Sequence, residues 1–169
     1  FEVIEHDSAD SPTPQSWAAA IDPVLGAYSA AQLARSVLVG HSVGSHAILQ
    51  AIARLPEDVC IGAVVIVAGW WDIDRATWDS FGIPWPDIQR WLDAKLDDQA
   101  VRSRTSRIAV LLSDNDPIPA SPAEVTAAVY RQRLNATVHI VPERAHFNDA
   151  KETAVLTAIA EALAPDFDS

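Results

Sequence analysis

At 169 residues with 49% apolar content, the chain is long enough for one domain with a sizeable core, and nothing in it marks a second. A formal net charge of −11 argues against a nucleic-acid or anionic-membrane partner, because phosphate binding needs clustered Lys and Arg. One cysteine, Cys60, excludes an internal disulfide and a multi-cysteine metal site; it reads as a small core residue heading an apolar run.

In chain order, Phe1–Glu5 alternate apolar and acidic and read as a strand, followed by a polar loop over Ser8–Pro14. Ser16 reads as the cap of a helix over Trp17–Tyr28, bent at Pro23. Ser36–Val39 reads as a buried strand. Ser45–Leu55 follows as a helix, with Ala47, Ile48, Ala51, Ile52 and Leu55 at helical spacing and Pro56 ending it. Ile61–Ala68 is a continuous Val/Ile run, the mark of a strand buried on both faces of a parallel sheet. The longest apolar stretch, Ile61–Trp71, is too short to span a bilayer, and no signal-peptide pattern opens the chain, so the expected location is cytoplasmic. The cluster Arg102, Arg104 and Arg107 reads as a solvated loop. Ile108–Leu112 and Thr137–Val141 read as strands, and Pro122–Leu134 and Asp149–Leu163 as helices. Strands alternating with helices predict an α/β fold with a parallel, doubly wound sheet covered on both sides.

Residues 70–96 break this rhythm. They hold five of the six tryptophans, with a helix expected over Asp87–Leu96, and they follow the C-terminal end of a strand, where such sheets place ligands. One reading is a small aromatic cap over a substrate pocket that includes Trp70, Trp71, Trp85 and Phe147; the other is packing of large rings over a loop-rich edge.

The pentapeptide Gly40-His41-Ser42-Val43-Gly44 sits between the strand and the helix as G-x-S-x-G, the pattern of a nucleophile elbow. A serine that attacks a carbonyl must stand proud of the sheet on a sharp strand-to-helix turn, and a side chain at either flanking glycine is expected to collide with its surroundings. The Val43 amide, next after the serine at a helix N-terminus, is the expected oxyanion donor. No G-x-G-x-x-G or G-x-x-x-x-G-K-[ST] phosphate loop occurs, which argues against nucleotide binding.

Serine needs a base, and in this fold the chain order is Ser, acid, His. Of the five histidines, His6 precedes the serine, and His41 sits inside the elbow with its side chain expected to point away. His46 reads as a helix-face packing residue and His139 as a strand residue. His146 follows the last strand and is the expected base. The acid belongs after the strand at Ile108–Leu112, where Ser113-Asp114-Asn115-Asp116-Pro117 offers Asp116 as the His146 partner and Asp114 as a ligand for loop amides. Asp-x-Asp without further carboxylates at calcium-loop spacing assigns no metal.

With Ser42, Asp116 and His146 placed, the chain resembles the compact serine α/β-hydrolases of the retinoblastoma-binding protein 9/YdeN family. The matching stretches are Asp10-Ser11-Pro12 through Trp17, the elbow continued by Ser45-His46, Ser113–Pro117, and Ala145-His146-Phe147-Asn148. The resemblance implies a three-layer α/β/α sandwich, no cofactor and esterase-type activity on small acyl substrates, thioesters and amides being open. Two departures stand out: Ala145 replaces the family's usual Gly before the histidine, and nothing before Phe1 supplies the strand and Gly-rich loop that carry the family's second oxyanion amide. The expectation is that a segment precedes Phe1 in the working protein. A hydrolase fold with a weak or inactive site that binds a protein partner is the alternative from another class.

Overall fold

The computed structural model describes residues 2–4, 13–82 and 84–164. Four strands form one parallel sheet in sequence order: β1 (Val37–His41), β2 (Ala63–Val67), β3 (Ile108–Ser113) and β4 (Thr137–Val141). The helices are α1 (Pro14–Gly26), α2 (Ala30–Leu33), α3 (Val43–Arg54), α4 (Arg75–Ser80), α5 (Trp85–Asp93), α6 (Asp98–Arg104), α7 (Ala123–Leu134) and α8 (Thr153–Leu163). A parallel sheet puts every strand's C-terminal end at one edge, and the loops that matter here all leave from that edge.

The residues of β2 explain the layering. Val64 and Ile66 enter the larger core, with Leu49 and Ile52 of α3, Val101 of α6 and Tyr130 of α7. Val65 and Val67 point the other way into a smaller core with Ala158 of α8. Successive strand residues face opposite sides, so a strand buried on both faces reads as an unbroken apolar run. α8 packs on β1, β2 and β3, α3 lies on β1, and α7 on β3 and β4, while α1 and α6 pack against α3. The result is helices on both faces of the sheet, as the alternation of elements predicts.

Several local expectations change. Glu2–Ile4 form no strand, and Phe1 and Glu5 lie outside the described residues, as does Asp10-Ser11-Pro12. The first helix starts at Pro14 with Thr13 as its cap; Ser16 is its partner in a capping box, because Thr13 Oγ1 accepts from the Ser16 amide and Ser16 Oγ accepts from the Thr13 amide. Thr153, not Asp149, opens α8, because Asp149 and Glu152 are drawn into ion pairs with Arg144. Cys60 is exposed rather than in the core, while the next residue, Ile61, is buried.

The basic cluster is not a solvated loop. Arg104 ends α6 with only 8% of its surface exposed, and its Nε donates to the carbonyl of Leu55 at 2.8 Å, just past the end of α3. Arg107 Nη2 donates to the carbonyls of Ala162 (2.6 Å) and Ala164 (3.1 Å), capping the C-terminus of α8 where the helix dipole favours a cation. Arg102 is exposed. Arg104→Leu is therefore expected to lower unfolding free energy by about 2–4 kcal/mol, because carbonyls near the α3 end lose a charged donor. Arg102→Leu should cost less than about 1 kcal/mol. Urea denaturation of both variants checks the difference, and equal costs would return the cluster to a solvated role.

Candidate active site

Ser42 stands between β1 and α3 at φ 53° and ψ −124°, a conformation an L-residue adopts only under constraint. The constraint is visible. The Ser42 amide donates to the Val67 carbonyl of the neighbouring strand at 2.9 Å, and Ser45 Oγ donates back to the Gly40 carbonyl at 2.9 Å. A Cβ on Gly40 would lie 2.7 Å from the Gly44 carbonyl oxygen and 2.8 Å from Ser45 Cα, so the turn closes only on glycine. Gly44 differs from expectation: a Cβ there would meet only the Trp17 ring at 3.5 Å, an ordinary contact. Val43 opens α3, so its amide belongs to the first turn, whose N–H groups lack intrahelical acceptors.

The loop after β3 grips the loop after β4 residue by residue. The Glu143, Arg144 and Ala145 amides donate in turn to Asp114 Oδ1 (2.8 Å), Ser113 Oγ (2.9 Å) and Asn115 Oδ1 (2.7 Å). The next residue, His146, sets Nδ1 2.8 Å from Asp116 Oδ2 and 3.0 Å from Oδ1. Asp116 is itself held by the Ile118 amide at 3.0 Å. An ionised carboxylate only accepts, so Nδ1 carries the proton and Nε2 is the basic nitrogen. Arg144 locks the far side through Glu152 (2.6 Å) and Asp149 (2.7 Å), and the Glu152 bond raises its pKa above the usual guanidinium value.

The gripped loop is strained: Glu143, Ala145 and Phe147 lie at φ 56°, 45° and 54°. Ala145 stands where the family's usual residue is Gly, a change that matters where the backbone needs positive φ, and here its backbone sits in the left-handed region that costs an L-residue roughly 1–2 kcal/mol.

The elbow and the His146 loop are tied together by a residue with no role in the sequence reading. The His41 ring does not turn away from the site: its Nε2–H donates to the His146 carbonyl at 2.7 Å and the two rings meet edge-on at 4.9 Å. Crowding around the His41 ring lowers its pKa, against the smaller opposing pull of that carbonyl. Among the described residues, Ser42 Oγ accepts from the Trp70 indole N–H at 3.4 Å, and no hydrogen bond joins it to His146. No sequence signal identifies the His41 and Trp70 contacts, since each depends on where two loops meet.

The aromatic segment divides. Trp70, Trp78 and Trp91 are buried in the main core, so much of the segment is packing. Trp71 stacks on Tyr130 at 4.9 Å under the Arg133 guanidinium and helps line a cavity of about 120 Å³ with His46, Gln50 and Leu92. Trp85 lies under Arg75 and donates to Gln89, and Phe147 packs into the smaller core with Val65 and Leu111. The sequence reading places Trp85 and Phe147 in a substrate pocket; their neighbours in the structure are these side chains instead. His46 is buried, its Nε2–H donating to the Trp70 carbonyl at 2.7 Å, and His139 is exposed on β4. Among the described residues no group of His, Cys, Asp and Glu is placed to hold a metal, and no helix is long and apolar enough to cross a membrane.

A family profile described as serine hydrolase matches residues 2–164. No curated protein matches the sequence. Among solved structures, the ydeN gene product of B. subtilis superposes with a TM-score of 0.66 at 20% identity, covering 90% of this chain and 76% of that one. A structure from a study of carboxylesterases of the thaumarchaeon Nitrososphaera gargenis matches with a TM-score of 0.62 at 9% identity, over 96% of this chain and 78% of that one. Est1E from Butyrivibrio proteoclasticus matches with a TM-score of 0.60 at 16% identity, over 92% and 73%. These likenesses are of fold.

Two measurements follow from the geometry. Ala145→Gly should relieve the left-handed strain, offset in part by the entropy of an unfolded glycine, for a net gain of about 0.5–1 kcal/mol and a Tm rise of about 2 °C. An unchanged or lower Tm would mean that the loop holds no strain at this residue. Burial lowers the His46 pKa to about 4 from its ordinary 6.5, the Trp70 carbonyl bond opposing more weakly. Between those values the unfolded chain binds a proton that the native state refuses, so stability rises with pH across the window. Acidification from pH 6.5 to 4 should thus remove up to about 3 kcal/mol through this residue. His46→Gln should flatten that part of the profile, and a slope identical to the parent's would assign the loss to other groups.

Proposed function

Since the chain belongs to the serine hydrolase family, we propose that it cleaves small carboxylic esters or thioesters through an acyl-enzyme on Ser42, with His146 and Asp116 completing a triad. The observation that carries the reading is the pairing of a strained elbow serine with a histidine whose Nδ1 is committed to a carboxylate at 2.8 Å, joined by the His41 bond to the His146 carbonyl.

The chemistry runs in two halves. Ser42 Oγ attacks the substrate carbonyl carbon and gives its proton to His146 Nε2 as the C–O bond forms. The carbonyl electrons move to the oxygen, where the Val43 amide donates. The intermediate collapses, the alkoxide or thiolate leaves, and the His146 proton goes to it. Water then attacks the acyl carbon, giving its proton to His146, and the bond to Oγ breaks with that proton returning to serine. Asp116 holds the His146 tautomer and stabilises the imidazolium formed twice per cycle. The side chains that act are all supplied by the chain, and the substrate is a small acyl compound. The likeness to carboxylesterase structures supports the acyl-transfer class through the fold.

A fluorophosphonate probe on the purified full-length protein, with the adduct mapped by mass spectrometry, tests the reading. Labelling at Ser42 that disappears in His146→Ala is expected. Asp116→Asn should lower turnover of an activated ester by about 10³–10⁴, since the wrong tautomer is then held, as in other triads. Asp114→Asn should cost less than about tenfold, because its carboxylate serves one loop amide. Absence of any label on folded protein would sink the hydrolase reading and leave the protein-binding module in its place.

A further inference from the structure

We propose that Trp70 is a catalytic hydrogen-bond donor, its indole N–H stabilising the negative charge that gathers on Ser42 Oγ as the serine gives up its proton. The inference rests on the hydrolase reading and adds a residue to it. Trp70 is fully buried, its Nε1 3.4 Å from Ser42 Oγ. The placement is held from two sides. His46 donates to the Trp70 carbonyl at 2.7 Å and its ring packs on the indole at 4.2 Å. Immediately before it, Gly69 runs so close to Tyr130 that an added Cβ would fall 2.2 Å from the Tyr130 hydroxyl oxygen. His46 lies one helical turn beyond Ser42 on α3, so the same helix carries the nucleophile and the group that fixes its donor.

The need to satisfy a buried indole does not explain the contact. The indole N–H groups of Trp71 and Trp78 are buried with no hydrogen-bond partner, so this core tolerates unpaired ones. Trp70 instead meets the Oγ that gives up its proton in the proposed reaction. An indole N–H only donates, so it claims an Oγ lone pair and leaves the serine proton free to go to His146. At 3.4 Å the bond to a neutral hydroxyl is weak and takes little from the nucleophile. It gains while the proton is leaving and the C–O bond is only partly made, when Oγ carries partial negative charge, because bonds to charged acceptors are shorter and stronger. A contact stronger in the transition state than in the ground state is what accelerates a step. The same donor serves in the second half, when the bond from the acyl carbon to Oγ breaks, the electron pair stays on Oγ and His146 returns the proton.

Trp70→Phe keeps most of the ring and deletes the N–H. We expect fluorophosphonate labelling at Ser42 and turnover of an activated ester each to fall about tenfold, the ratio between a charged and a neutral acceptor. Trp78→Phe, which deletes a buried indole N–H far from this role, should change neither more than about twofold. Labelling of Trp70→Phe at or above the parent rate, or an equal loss in both variants, overturns the proposal. Should Trp70→Phe fail to fold, nitrogen-15 NMR of the parent decides: phosphonylation of Ser42 should move the indole signal of Trp70, and no movement there overturns it. A parent that does not label at all would refute the hydrolase reading and this proposal with it, whereas a labelled parent beside an unaffected Trp70→Phe refutes this proposal alone.

Discussion

The left-handed backbone of Ser42 is the constraint on which the site depends. Holding an L-residue at φ 53° costs on the order of 1–3 kcal/mol, and the surroundings must outweigh it. They do so through the ladder itself. The Ser42 amide bonds to Val67 and the Ala68 amide to Leu111, each extending a strand by one bond onto its neighbour just as the chain turns away. Ala68 also lies at positive φ, 50°. Two adjacent strands thus end in the same manner, side by side. The first exit raises the serine; the second sends Gly69 and Trp70 toward it. Parallel pairing places both exits at one edge, which an antiparallel sheet would send to opposite edges.

Opposite the elbow, the site depends on two loops that neither a helix nor a sheet stabilises. The strands β3 and β4 end in register, with Ser113 beside Val141. That register aligns Ser113–Asp116 with 143–146 so that three side chains accept from three successive amides and the fourth reaches the histidine ring. The loop amides of 143–145 are bonded by side chains where a strand would use backbone. His146 is thus held both through its own Nδ1 and through the amides of the three residues before it.

Much of this was legible in the sequence because it depends on local chemistry. The Val/Ile run of β2 announced its own burial, and G-x-S-x-G between a strand and a helical pattern announced the elbow. Ser-Asp-Asn-Asp after β3 and Ala-His-Phe after β4 announced the two loops by turn chemistry and chain order. What stayed hidden depends on pairs distant along the chain. Arg104 reads as one member of a basic cluster until the end of α3 is laid beside it. His41 reads as an outward elbow residue until the β4 loop supplies a carbonyl. The short helices α2, α4 and α6 have too few turns for a periodic pattern to emerge. The aromatic segment offered two readings on composition, and depth separates its members: three of its rings are buried in the core, while Trp71 and Trp85 are half-buried.

The three histidines around Ser42 show how a fold distinguishes chemically identical groups. His46 and His41 each spend Nε2–H on a backbone carbonyl, which favours the charged ring but less strongly than desolvation disfavours it. Burial then decides, and both pKa values fall. His146 differs in its partner. Asp116 is the one carboxylate bonded to a histidine among the described residues, accepting from His146 Nδ1 at 2.8 Å. The three rings thus differ in the acceptor each faces, carbonyl or carboxylate. His41 ties the loop of His146 to the elbow, and His46 holds the indole that touches Ser42 Oγ. A protonated His46 would face buried indoles with no anion at hand, and a protonated His41 would set its charge against the His146 ring at 4.9 Å.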